Sequence, residues 1–146
     1  MQPRVHVVTL GVADIERSLD FYRGLGWGPG AVVGTEFEAT AESPGGAAGQ
    51  LVLEDGLLLM FYGRQDLERD AGTALSPGPG PFSLGHLVES RAAVDEALQA
   101  AVDAGGTLAD AGHERPWGIY SGYFQDPDGH LWEVISNPAS GPEAEG

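Results

Sequence analysis

Cysteine is absent from the 146 residues, which excludes disulfides and thiolate metal ligands outright. Lysine is absent too: every one of the seven cations is an arginine, set against 22 acidic residues for a net charge of −15. With no basic stripe to neutralise phosphates, nucleic acid and anionic membrane surfaces are not expected partners. No apolar run approaches the roughly 18 to 20 residues that span a bilayer. The opening Met1-Gln2-Pro3-Arg4 lacks the charged-then-apolar layout of a signal peptide, so a cytoplasmic location is the default expectation. What the chain does have is 42% apolar residues, the ordinary content of a globular protein. Its acidity reads either as a solvated surface that favours solubility or as a field that attracts a cationic ligand.

Val5 to Val12 alternates loosely and is rich in β-branched residues, the pattern of a strand. Asp14 then offers an N-cap to a helix with Ile15, Leu19, Tyr22 and Leu25 on its apolar face, and Gly26 and Gly28 can end it. Strands are expected over 31–40, 50–54 and 57–62. Asp55-Gly56 makes the hairpin turn between the last two, and Leu57 to Tyr62 reads as buried on both faces because its apolar run is unbroken. Residues 64–81 break the pattern. A helical turn fits 65–71, but Ser76-Pro-Gly-Pro-Gly-Pro81 continues no element, so the segment is a linker.

The order then restarts. A strand over 82–89 precedes a helix capped by Ser90, with Val94, Leu98, Ala101 and Val102 on one face and Gly105-Gly106 as its stop. Strands follow over 107–111, 119–125 and 130–136, the last two joined by the turn Asp126-Pro-Asp-Gly129. The tail 139–146 is expected to fray. Two rounds of strand, helix and three strands thus make an α+β chain of two βαβββ modules, 1–63 and 82–138. Aligning the helix ends sets Gly26 against Gly105, an offset of 79. Two such modules form a curved mixed sheet around a central cleft, and a concave apolar face with a few polar groups is a default ligand site.

Thr9-Leu-Gly-Val-Ala-Asp-Ile-Glu-Arg-Ser-Leu-Asp-Phe-Tyr-Arg-Gly-Leu-Gly-Trp27 resembles the opening strand and helix of vicinal oxygen chelate proteins, the glyoxalase/bleomycin resistance/dioxygenase superfamily. Tyr123-Phe-Gln-Asp-Pro-Asp-Gly-His-Leu-Trp-Glu-Val134 resembles their closing hairpin, and Trp117-Gly118 before it fits the glyoxalase-like branch. The resemblance implies one metal ligand on the first and one on the last strand of each module. By register those positions are Val7 and Met60, then His86 and Glu133, with Val7 and His86 each 19 residues before the glycine that ends the helix and Gly56 set against Gly129 in the final hairpins. Valine supplies no ligand and a thioether is a poor one for Zn, Mg, Mn or Fe(II), so the implied site is half missing. His6 lies one residue from a ligand position, hence on the opposite strand face.

Two main readings follow. In one the chain is a metal-independent small-molecule binding protein of the bleomycin-resistance kind. It would take a cationic or aromatic ligand at Val7, Met60, Tyr62, His86, Trp117, Tyr120, Tyr123 and Glu133, use no cofactor and keep Glu133 as a candidate general base. In the other it is a glyoxalase-type lyase or dioxygenase binding a divalent ion (Zn, Ni, Mn or Fe) through His86, Glu133 and an extra ligand such as His6. A degenerate module kept for partner interaction is the third. The superfamily's usual assembly implies a homodimer.

Overall fold

The structure is a computed structural model that describes residues 1–27, 32–37 and 46–138, with side chains described outside 28–47. The chain divides into two compact units, Met1–Pro77 and Gly78–Gly146.

In the first unit, strand β1 (Val7–Val12) runs into Asp14, whose extended backbone ends the strand. The Asp14 carboxylate accepts the Arg17 amide hydrogen at 3.1 Å and so satisfies one of the open donors of helix α1 (Ile15–Gly24). Strands β2 (Val32–Phe37), β3 (Gly46–Val52) and β4 (Leu58–Gly63) complete a sheet of order β1-β4-β3-β2, with β1 and β4 parallel and the other pairs antiparallel. The core lies between α1 and one face of this sheet. Leu10, Leu19, Phe21, Tyr22, Leu51, Leu59 and Phe61 are each at most 1% exposed there. The Tyr22 and Phe61 rings meet at 5.1 Å between centroids. Gly49 of β3 lets the helix approach, because a Cβ there would stand 3.1 Å from both Ile15 and Leu19.

The second unit repeats the plan. Strand β5 (Ser83–Leu87) leads to helix α3 (Arg91–Asp103), where the Ser90 hydroxyl accepts the Ala93 amide hydrogen at 3.0 Å. Strands β6 (Thr107–Glu114), β7 (Tyr120–Gln125) and β8 (Leu131–Ser136) give the order β5-β8-β7-β6, with β5 and β8 parallel. Val94, Leu98 and Ala101 pack on Phe124, Trp132 and Val134, and the Phe124 and Trp132 rings lie 6.0 Å apart and nearly parallel. Gly122 is the counterpart of Gly49. A Cβ there would lie 2.5 Å from Leu98 Cδ1 and 2.7 Å from the Asp110 carbonyl oxygen.

The two final hairpins fix which residues face which side. In the first, the Asp55 carboxylate accepts the Leu57 amide hydrogen and Gly56 takes φ 88°. In the second, buried Asp126 accepts from the amides of Asp128 and His130, and Gly129 takes φ 89°. Such turns set register, and a slip of one residue would reverse every side chain of β4 or β8.

Two sequence expectations change. The run Leu57 to Tyr62 is not buried on both faces: Leu59 and Phe61 are buried under α1, while Leu58, Met60 and Tyr62 are only half-buried on the other side. The helical turn expected over 65–71 in the linker is present as a two-turn helix, α2 (Arg64–Ala71), ended by Gly72 at φ 72°. Leu67 and Arg64 of α2 pack on Gly11 of β1, an approach that glycine permits. The offset of 79 holds for the helix ends alone. From Asp14 to Ser90, the two N-caps, the separation is 76, and α3 is longer than α1 by 13 residues to 10. Residues 31 and 38–40 of the second expected strand, the expected helix stop Gly28, the first part of the loop after that strand and the tail 139–146 lie outside the described residues.

Candidate functional site

Side chains alternate along a strand, and register partners in neighbouring strands share a face. In the first unit Val7 pairs with Leu58 and Thr9 with Met60, so Val7, Met60 and Tyr62 do come together on the face opposite α1, with Gln50 beside Met60. That face carries no carboxylate from β1 or β4. The Tyr62 phenol is held above its ordinary pKa first by burial, then by Asp70 and Asp66 of α2.

In the second unit Glu133 pairs with Gly85 on β5 and with Tyr123 on β7, whereas His86 pairs with Val134. Val134 is fully buried on the α3 side. His86 therefore lies on the opposite sheet face from Glu133. The physical reason is the three extra residues of α3: aligned on the N-caps and strand pairs, the partner of Val7 is Ser83, not His86. His86 is exposed on β5, an edge strand of its sheet. Tyr120 also leaves the expected group. It pairs with Ser136, one residue out of phase with Tyr123, and its hydroxyl donates to Asp95 of α3 at 2.8 Å while the Arg91 guanidinium sits 5.3 Å from its ring. That hydrogen bond, then burial, raises the Tyr120 phenol pKa.

Trp117 stands in a single 3-10 turn, Pro116–Gly118, between β6 and β7. Its φ of 65° is unusual for a bulky residue, and the residue is 90% exposed. The turn is closed by the Arg115 amide donating to the Ile119 carbonyl at 2.7 Å.

Around Glu133 is a network that the sequence reading missed. The fully buried Ser121 hydroxyl donates to Glu133 Oε2 at 2.8 Å and accepts from Arg115 Nε. Arg115 Nη2 donates to Asp110 Oδ2 at 2.9 Å and to the Ser121 carbonyl at 3.3 Å. The guanidinium carbon lies 5.4 Å from the centre of the Tyr123 ring. Asp110 and Tyr123 are register partners, as are His113 and Ser121, so all project on the face opposite α3. His113 Nε2 is 3.1 Å from Asp110 Oδ2. Hydrogen bonds from Arg115 and then His113 hold the Asp110 carboxyl below its ordinary pKa. Burial, then the charge and hydrogen bonding of Glu133, raise the Tyr123 phenol. The available signal was alternation: Ser121 and Tyr123 share the parity that puts them beside Glu133, and Ser121 is the small polar residue in an aromatic strand.

The metal implied by the resemblance does not fit these residues. Val7 has no donor atom and Met60 offers a soft thioether, the register puts Ser83 in the β5 position, and His86 projects away from Glu133. Among the described residues, no three His, Asp or Glu side chains converge on a point that could hold an ion. No described helix is long and apolar enough to cross a membrane.

The model of the Glyoxalase/Bleomycin resistance protein/Dioxygenase superfamily matches residues 4–134. A glyoxalase-related enzyme from Fulvimarina pelagi is similar at 32% identity and a TM-score of 0.77, over 94% of this chain and 91% of that one. A glyoxalase/bleomycin resistance protein/dioxygenase from Nocardioides shares the fold at 21% identity and TM-score 0.67, over 97% and 89% of the two chains. So does a lactoylglutathione lyase from Agrobacterium tumefaciens, at 19% identity and TM-score 0.61 over 92% and 94%. No curated protein matches the sequence. With nearly its whole length matched and both βαβββ units in place, the chain belongs to the glyoxalase/bleomycin resistance/dioxygenase superfamily.

Proposed function

We propose that this chain binds a small organic molecule without a resident divalent ion, in the manner of the bleomycin-resistance branch, and that it does so as a homodimer. The ligand is cationic or aromatic and places a hydrogen-bond donor against Glu133. One observation carries the reading: the carboxylate at the closing-hairpin position is engaged by a neutral hydroxyl and stands beside a phenol, while Val7 and Met60 leave two of the four implied metal positions without a hard donor. Two carboxylates, Asp110 and Glu133, stand here against the single guanidinium of Arg115, an arrangement that favours a protonated amine over an anion. Tyr123 supplies an aromatic surface at the same place.

Thermal unfolding in the presence of aromatic amines and their neutral isosteres tests this. A ligand that binds the folded state alone raises the midpoint by mass action. The amines are expected to raise it for the wild type and to do so far less for Glu133→Gln. Equal shifts for amines and isosteres, in both proteins, would contradict the reading.

A further inference from the structure

Arg115 is the group on this face whose role neither the fold nor the proposed ligand explains. Of its five N–H donors, three are committed: Nε to Ser121 Oγ, and Nη2 to Asp110 Oδ2 and to the Ser121 carbonyl. One face of its guanidinium stands against Tyr123. Its side chain is 25% exposed, against 48% for Asp110. A guanidinium so tied is a poor receptor for an anion from solution, since Asp110 already neutralises it.

Its geometry does decide something about Glu133. A serine hydroxyl has one hydrogen and two lone pairs. Because Arg115 Nε donates to Ser121 Oγ, the oxygen acts as acceptor on that side and must turn its hydrogen elsewhere. The Glu133 carboxylate, 2.8 Å away, receives it. The chain Arg115 to Ser121 to Glu133 is thus polarised in one direction, and hydrogen bonds in series strengthen one another away from bulk water. Ser121 is fully buried, so no solvent competes for its hydroxyl. The backbone of Arg115 is fixed as well, by the turn that carries Trp117.

We propose that Arg115 is the positioning residue of the ligand face: through Ser121 it fixes the orientation of Glu133 as an acceptor, so that the face selects cationic hydrogen-bond donors over their neutral isosteres. The selectivity part rests on the binding function proposed above, while the relay itself does not. A carboxylate oriented by the Ser121 hydroxyl and the Tyr123 phenol still has lone pairs for a ligand, whereas an untethered glutamate would lose rotamer entropy on binding.

The experiment uses the full chain with two readouts. The first needs no ligand: the side-chain carboxyl carbon resonance of Glu133 by NMR, in wild type, Arg115→Gln, Arg115→Lys and Ser121→Ala. The resonance is expected to move in Arg115→Gln and Ser121→Ala, and to return most of the way in Arg115→Lys, which restores a donor and a charge. The second is binding of 4-aminobenzamidine against its neutral isostere 4-aminobenzamide. Wild type should prefer the amidinium by about tenfold, the scale of one charge-assisted hydrogen bond. Arg115→Gln should reduce that preference to about twofold with little change for the amide. An unmoved Glu133 resonance in Arg115→Gln overturns the relay, whatever binds. Equal weakening of both probes, which is what a purely structural arginine would give, overturns the selectivity. A moved resonance with neither probe bound leaves the relay standing and sinks the binding function instead.

Discussion

The two sheet faces that lie opposite the helices α1 and α3 are built on the same plan and carry different chemistry. In the first unit this face holds Val7, Met60, Tyr62 and Gln50, and helix α2 folds back onto it at Gly11. In the second it holds Glu133, Tyr123, Ser121 and Asp110, knitted together by Arg115. The helix-facing sides, by contrast, match closely: Phe61 and Val134 fill corresponding places, and Gly49 and Gly122 let each helix come close. The scaffold is therefore specified on one side of each sheet and the chemistry on the other. A duplicated fold can keep its core while each half changes its function-bearing face.

Mutations on the shared side should be the most severe in both units, graded by how tightly each position is packed. Phe61→Ala removes a ring that is fully buried and is expected to destabilise by about 4 kcal/mol. Gly122→Ala is expected to cost about 2 kcal/mol by overpacking, more than Gly49→Ala at about 1 kcal/mol. At Gly122 the added carbon meets a backbone oxygen at 2.7 Å, whereas at Gly49 it meets flexible side-chain tips at 3.1 Å. Chemical denaturation of the three variants checks the order, and equal losses at the two glycines would break the comparison.

On the divergent faces the effects should be local and should differ between units. The Tyr62 and Tyr123 phenols both ionise above the ordinary pH, but beside different carboxylates. Removing a nearby negative charge eases loss of the phenolic proton. Glu133→Gln should therefore lower the Tyr123 pKa and leave Tyr62 alone, and Asp70→Asn should do the reverse. Tyrosine ring-carbon NMR titrations read both, and a shift of both phenols in either variant would show that the faces are not independent.

Asp110 makes a smaller, pH-dependent contribution. Its carboxyl pKa is depressed in the folded state, so the stabilisation is present above the ordinary carboxylate range and is lost as pH falls through the folded value. The stability gap between wild type and Asp110→Asn should accordingly be constant near neutrality and close in acid. A gap that widens in acid would reverse the assignment. Smallest of all is Trp117→Gly. Relieving φ 65° at an exposed position should leave stability unchanged or raise it by about 0.5 kcal/mol. A marked loss would mean that the indole packs in solution.

The elements and the repeat were legible in the sequence because apolar alternation and caps are local signals: Asp14, Ser90 and the two hairpin turns sit where their residue types demand. The site was only partly legible. Strand alternation in the sequence put Glu133 beside Tyr123 and grouped Val7, Met60 and Tyr62 on one face, as the register has them. His86 was misplaced because the repeats were aligned on helix ends, and a helix can lengthen by three residues without moving the strand before its N-cap. Arg115 was missed because it follows an irregular strand, with register shifts between Leu108 and His113, and no period predicts where a long side chain reaches from there. Trp117 and Tyr120 read as a cluster with Tyr123 in sequence, yet one stands in a solvent-facing turn and the other faces α3.

Metal analysis of the wild type tests the central claim most directly. The protein would be purified without chelator, equilibrated with Zn, Ni, Mn and Fe(II) in turn, and desalted. Substoichiometric metal, unaltered by Glu133→Gln, is the predicted result. One tightly held ion per chain that disappears in Glu133→Gln would contradict it.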